Sequence, residues 1–303
     1  MLTSNEIIYN ACKARTAIPA FNIPYVPMME PIVRALHDTN CFGFITVARL
    51  EWVKFGAGGI RQIYDEYERT KDECCTRLHL DHVPVIDEDN QCVDYITTIT
   101  EALDVGYGSV MVDGSRLPLD ENIAATREIV KLAHTKGAAV EGELGAVLGH
   151  EAGPLPSYEE IFASGKGFTD PCEARRFVKE TGVDWLSIAI GNIHGAISKA
   201  KRTEKKVEAM LSIERLDEIR STANIPFVLH GGSGIRKEHV LESFRHGVAK
   251  INIGTATRQP YEANIASSVA VAQKAVYDAA INVIRNELEL EGTVRIVNPL
   301  RNN

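Results

Sequence analysis

The chain has 303 residues, 45% of them hydrophobic and 24% charged, the composition of a soluble globular protein with one large core. No apolar run approaches the roughly 20 residues of a membrane span, and the polar start MLTSNEIIYN lacks the apolar stretch of an export signal. The formal charge of −8 speaks against a nucleic-acid surface, and six cysteines without C-x-x-C pairing read as reduced thiols of a cytoplasmic protein.

Runs rich in β-branched residues and bounded by Gly, Pro or Asp predict strands, in chain order, at Thr16–Asn22, Cys41–Ala48, Arg77–His82, Ser109–Asp113, Ala138–Leu144, Trp185–Gly191, Pro226–Gly231 and Lys250–Thr255. Several are apolar almost throughout, which suits parallel strands covered on both faces. Between them lie helical patterns. One spans Asp120–Lys136, with Ile123, Ile129, Val130 and Ala133 near one face and Gly137 placed to end it. Another begins with Asp170 as N-cap, Pro171 at the first helical position and Glu173 three residues past the cap. The connection Ala146–Gly167 is rich in Gly and Pro and reads as a mobile active-site loop. The basic cluster Lys199 to Lys206 reads mainly as a solvated loop. Strand and helix alternating eight times predict an α/β chain folded as a single (β/α)8 TIM barrel, one domain over residues 1–303. A doubly wound sheet shares the alternation but not the count.

Function in such a barrel gathers at the carboxyl ends of the strands. His82, His194 and His230 end three different predicted strands, and three imidazoles with an open fourth position describe a catalytic zinc site. Asp113 and Glu143 add carboxylates to the same rim, as a second cation site or as partners that orient the histidines. Neighbouring Asp81 and His82 cannot both face the site in a regular strand, because successive side chains alternate faces. The loops after strands seven and eight are Gly-rich, and the seventh, His230-Gly231-Gly232-Ser233-Gly234, leads into a helix whose backbone N–H groups suit a phosphate.

The motifs LHLDH at 78–82, VDGS at 112–115, VEGELG at 140–145, AIGNIHG at 189–195, LHGGSG at 229–234 and KINIGT at 250–255 resemble, in order and spacing, the class II zinc-dependent ketose-bisphosphate aldolases, the fructose- and tagatose-bisphosphate aldolase family. PAFN at 19–22 and TDP at 169–171 agree, and the match runs from about residue 5 to about residue 260. The resemblance implies that His82, His194 and His230 hold Zn2+, that Asp113 and Glu143 match a second divalent metal site, and that Asp81 is the acid/base at the carbon being cleaved. It implies that Glu151 moves the proton on the carbon of dihydroxyacetone phosphate. Gly195, Lys199, Gly231, Ser233, Asn252 and Thr255 would hold the phosphate, with a monovalent cation nearby, and Asn22, Gly232 and Gly254 join them as substrate-binding positions. The activity implied is reversible cleavage of a phosphorylated ketose or keto-sugar acid to dihydroxyacetone phosphate and an aldehyde through an enediolate, by a cytoplasmic homodimer or homotetramer.

Departures from the family pattern bear on substrate. Fructose-bisphosphate enzymes usually carry Asp-Thr-Asp after the Asn-Ile of strand eight, where this chain has Gly254-Thr255-Ala256. Arg258 falls where those enzymes keep an arginine for the far phosphate, and about ten extra residues follow LDH around Pro84–Val93. Three alternatives stay open: an aldolase specific for fructose or tagatose bisphosphate, a non-catalytic aldolase-like subunit, and a barrel metalloenzyme that only epimerises or isomerises.

Overall fold

The computed structural model describes residues 1–145, 158–192 and 209–299. Among these, β1 (Ile18–Asn22), β2 (Gly43–Ala48), β3 (Thr76–Pro84), β4 (Ser109–Asp113), β5 (Ala139–Leu144), β6 (Trp185–Ile188), β7 (Phe227–Leu229) and β8 (Val248–Ile253) close, in sequence order and all parallel, into a barrel. Helices lie between the strands, so the predicted (β/α)8 barrel is the fold observed. Every residue of β2, β5 and β8 is buried, which explains why these strands read as continuous runs rather than as alternation.

The barrel interior is layered. Low in it, Phe44 of β2 packs against Trp185 of β6 with ring centroids 5.8 Å apart. The layer above is polar, where interiors of this kind are usually filled by branched aliphatics. Here Lys250 reaches across to Glu141 at 2.8 Å, and His79 takes Ser109 at 2.9 Å. The top layer, at the carboxyl ends, carries Asp81, Asn252 and His230.

An irregularity in β3 resolves the problem posed by two adjacent site residues. Leu80 pairs with Val110 and Val83 with Val112, so three steps along β3 match two along β4, and one residue of β3 is supernumerary. Such a bulge re-aims a side chain, and both Asp81 and His82 thereby reach the same cavity.

The extra segment after β3 is a small hairpin. Ile86 and Cys92 form an antiparallel bridge, and the Asp87 carboxylate accepts the N–H groups of Asp89 at 3.1 Å and Gln91 at 2.8 Å. Three ion pairs tie it to the helix Arg49–Lys54 that follows β2: Arg49–Asp87 at 3.5 Å, Lys54–Glu88 at 2.7 Å and Lys54–Asp89 at 3.5 Å.

Two helical expectations agree in detail. Leu119–Thr135 covers the anticipated face, and Pro171–Thr181 begins with Asp170 accepting the N–H groups of Cys172 and Glu173. The connection Ala146–Gly167 needs correction, because its second half contains the helix Tyr158–Ser164. Tyr158 and Phe162 share one face of it; the Tyr158 hydroxyl accepts the Met210 N–H at 2.6 Å and lies 3.0 Å from the Gly191 carbonyl, while Phe162 meets Phe168 edge-on. Residues 146–157 lie outside the described part.

Candidate active site

A cavity of about 390 Å³ opens at the carboxyl ends of the strands. Asn22, Asp81, His82, Asp113, Glu143, His230, Gly231, Gly232, Ser233, Asn252, Gly254, Thr255 and Arg258, contributed by six strands and the segments that follow them, all line it. Glu151, His194, Gly195 and Lys199 fall outside the described residues.

The two described histidines face each other. His82 Nε2 and His230 Nδ1 are 2.6 Å apart, with the rings near perpendicular. Each ring's other nitrogen meets a carboxylate: His82 Nδ1 lies 3.2 Å from Asp113 Oδ2, and His230 Nε2 lies 2.7 Å from Glu141 Oε1. A carboxylate accepts only, so it fixes the proton on the nitrogen it touches and leaves the opposite nitrogen with a bare lone pair. Two lone pairs so close repel unless a cation or a proton lies with them. Glu143 Oε2, 3.7 Å from His82 Nδ1, is buried without a hydrogen-bond partner among the described residues. These side chains form two overlapping groups that could hold a cation: Asp81, His82 and His230, and His82, Asp113 and Glu143.

Asp81 is held differently. Asn22 Nδ2 donates to Oδ2 at 2.9 Å, and Asn252 Nδ2 reaches both carboxylate oxygens at 3.0 Å. Burial alone would raise the Asp81 pKa, but the His82 and Lys250 charges outweigh it and hold the carboxyl well below the usual range. Burial raises the Glu143 pKa, and neighbouring Asp113 raises it further. On His82 burial opposes the charge, yet Asp81 and the hydrogen bond to Asp113 push its pKa upward. Opposed shifts of this kind, gathered in one cleft, are the mark of a candidate functional site.

The turn after β7 is built from close backbone approach. A Cβ at Gly232 would lie 2.6 Å from Ile251 Cγ1 and 2.9 Å from the Asn252 carbonyl, so only glycine fits, and Gly231 before it has φ +68°.

The sequence profile described as fructose-bisphosphate aldolase class-II matches residues 2–294. The chain belongs to that family. Within it, a fructose-bisphosphate aldolase of Staphylococcus aureus is 36% identical over 287 residues, 92% of this chain and 89% of the relative. One of Streptococcus pyogenes is 37% identical over 216 residues, 71% of this chain; the aligned stretch spans only 61% of that relative's length. The crystal structure of the YdjI aldolase from Escherichia coli superposes with a TM-score of 0.74 at 24% identity, over 97% of this chain and all of that one, and supports the fold.

For a class-II barrel the cavity holds several residues that reading the motifs missed. Arg49 and Glu51 line it from the helix after β2, and Glu88 and Arg116 from the loops after β3 and β4. The strand-end rule could have found Arg49 and Glu51, the first and third residues after Ala48. Glu51 is nearly buried, accepts the Ala48 N–H at 2.8 Å, and has its pKa pushed up to about 8 by that burial. Arg258 is where expected, but its guanidinium is engaged: Nη1 donates to both oxygens of Glu262, at 3.0 and 2.9 Å.

Proposed function

We propose that this chain is a metal-dependent aldolase, a single barrel domain, that reversibly cleaves a phosphorylated ketose to dihydroxyacetone phosphate and an aldehyde. One observation carries the reading: the facing nitrogens of His82 and His230 stand beside a carboxylate, Asp81, already oriented by two amides.

The class-II family is zinc-dependent, and the donor set fits that ion. His82 and His230 would hold it together with His194, while Asp113 and Glu143 would serve a second divalent cation. Zinc, when bound, supplies a Lewis acid that stabilises negative charge developing on the substrate's carbonyl oxygen. Asp81 accepts the proton of the hydroxyl on the carbon being cleaved. Its two amide donors stop the carboxylate rotating and leave it lone pairs to receive that proton. Glu151 then delivers a proton to the three-carbon fragment. The N–H groups of the Gly231–Ser233 turn, with Asn252 and Thr255, hold the phosphate, and Gly195 and Lys199 complete its shell. A monovalent cation belongs to the same reading, as does a cytoplasmic homodimer or homotetramer. Among the described residues no helix is long and apolar enough to cross a membrane.

Gly254 argues against fructose 1,6-bisphosphate itself. A Cβ there would meet nothing nearer than Asn22, at 3.9 Å, so packing does not forbid the carboxylate usual at this position, and its absence changes what the cavity can read. The test has two parts, both on zinc-loaded protein. Solvent deuterium should enter dihydroxyacetone phosphate, and condensation with a panel of aldehydes should give ketose phosphates. Absence of both exchange and triose binding would favour the non-catalytic alternative; efficient cleavage of fructose or tagatose bisphosphate would favour the bisphosphate-specific one.

A further inference from the structure

We propose that Glu262 is a specificity-determining residue: it masks Arg258, so that the cavity takes an uncharged, hydroxyl-bearing aldehyde in preference to a phosphorylated one. The proposal rests on the aldolase reading above and names its substrate class, a ketose carrying a single phosphate.

Arg258 stands on the helix Thr255–Asn264 that follows β8 and lines the cavity with a side chain only 10% exposed. Its charge is already matched. Glu262, one turn further on, takes its Nη1 in a two-oxygen contact at 3.0 and 2.9 Å. The Tyr25 hydroxyl donates to the same carboxylate at 3.0 Å, and the Tyr25 ring stacks on Tyr261 at 5.0 Å. Phe55 lies against the guanidinium, 5.5 Å from its ring centroid. The carboxylate is thus tethered from two sides within aromatic walls, where charge-assisted hydrogen bonds are strong and an incoming anion must displace one rather than fill a vacancy.

The rest of this wall gives a second phosphate little help. Arg49 faces Asp87 at 3.5 Å, and Glu88, itself paired with Lys54 at 2.7 Å, adds a carboxylate to the lining. Arg116, the lining arginine with no carboxylate partner among the described residues, is exposed, so water and salt screen it. A phosphate dianion would meet two arginines already matched by carboxylates, Arg49 and Arg258. A polyol would find acceptors for its hydroxyls.

The experiment fixes the nucleophile and varies its partner. Zinc-loaded full-length protein condenses dihydroxyacetone phosphate with glyceraldehyde or with glyceraldehyde 3-phosphate, and the ratio of kcat/KM values is read. The wild type should favour the unphosphorylated aldehyde. Glu262→Gln, which keeps the shape and removes the charge, should move the ratio about tenfold toward the phosphorylated aldehyde, mainly through KM. Tyr25→Phe should move it the same way by less. A wild type that prefers glyceraldehyde 3-phosphate, or a ratio unmoved in Glu262→Gln, overturns the masking role. If Glu262→Gln does not fold, as circular dichroism will tell, the wild-type ratio and Tyr25→Phe decide. Deuterium exchange into dihydroxyacetone phosphate needs no aldehyde. Its absence defeats the aldolase reading itself, whereas exchange with an unmoved ratio defeats only the part assigned to Glu262.

Discussion

The ammonium of Lys250 lies 2.8 Å from Glu141 Oε2, and both side chains are wholly removed from water inside the barrel. The other oxygen of Glu141 receives the His230 ring at 2.7 Å. A single buried carboxylate therefore joins a cation in the middle layer to an imidazole in the top layer. Lys250 offsets the burial of Glu141 and holds its pKa below the usual range, and ionised Glu141 keeps the His230 proton on Nε2.

Replacing Lys250 by Met should accordingly strand a buried negative charge. The expected loss of stability is about 3–5 kcal/mol, read by urea unfolding. The double variant Lys250→Met, Glu141→Gln should recover part of that loss. If it is no more stable than the single variant, the pair is not what the charge was balancing.

Removal of divalent metal with a chelator should abolish cleavage, and added zinc should restore it. His230→Ala should lower bound zinc, measured by mass spectrometry of the purified protein, together with activity, since deleting one of the three proposed ligands leaves an incomplete site. Full activity in metal-stripped protein would contradict the proposed mechanism.

Asp81→Asn keeps the size of the side chain but removes the proposed proton acceptor. Loss of a positioned acid/base typically costs about 10²–10⁴-fold, and the loss should fall on kcat, with the KM for the ketose phosphate little changed. A variant within a factor of about three of wild type in kcat would move the proton transfer to another group.

Much of this was legible from the chain alone, for physical reasons. Strands buried on both faces announce themselves as apolar runs, and His82, Asp113, Glu143 and His230 sit at or just past strand ends, where a barrel places its chemistry. The side-by-side use of Asp81 and His82 was not, because the supernumerary residue in β3 exists only in its pairing with β4. Nor was the fate of Arg258. Its partner lies four residues away, a spacing visible in the sequence, but only the Tyr25 contact from β1's loop shows that the carboxylate is committed. In the stretch before Pro171, the glycines and prolines outweighed the Tyr158 and Phe162 spacing that marks a helix.

Glu51 makes a prediction about pH. Burial raises its pKa from an ordinary 4.5 in the unfolded chain to about 8. The folded state thus binds its proton more tightly, and this group's contribution to stability is fully present below about pH 4.5 and lost as pH rises through 8. Against Glu51→Gln, which cannot ionise, the wild-type Tm should fall progressively between pH 5 and pH 8. Parallel profiles for the two proteins would show that Glu51 is already ionised throughout.

The bulge in β3 brings two residues consecutive on the chain, Asp81 and His82, to one cavity, so one peptide unit sets the separation of the proposed proton acceptor and the first imidazole. Pairs assembled from different segments drift apart when their supports breathe; this pair can only travel together. The hairpin after β3 begins beyond that pair, so a change in its length or charge would leave the separation of Asp81 and His82 as it is.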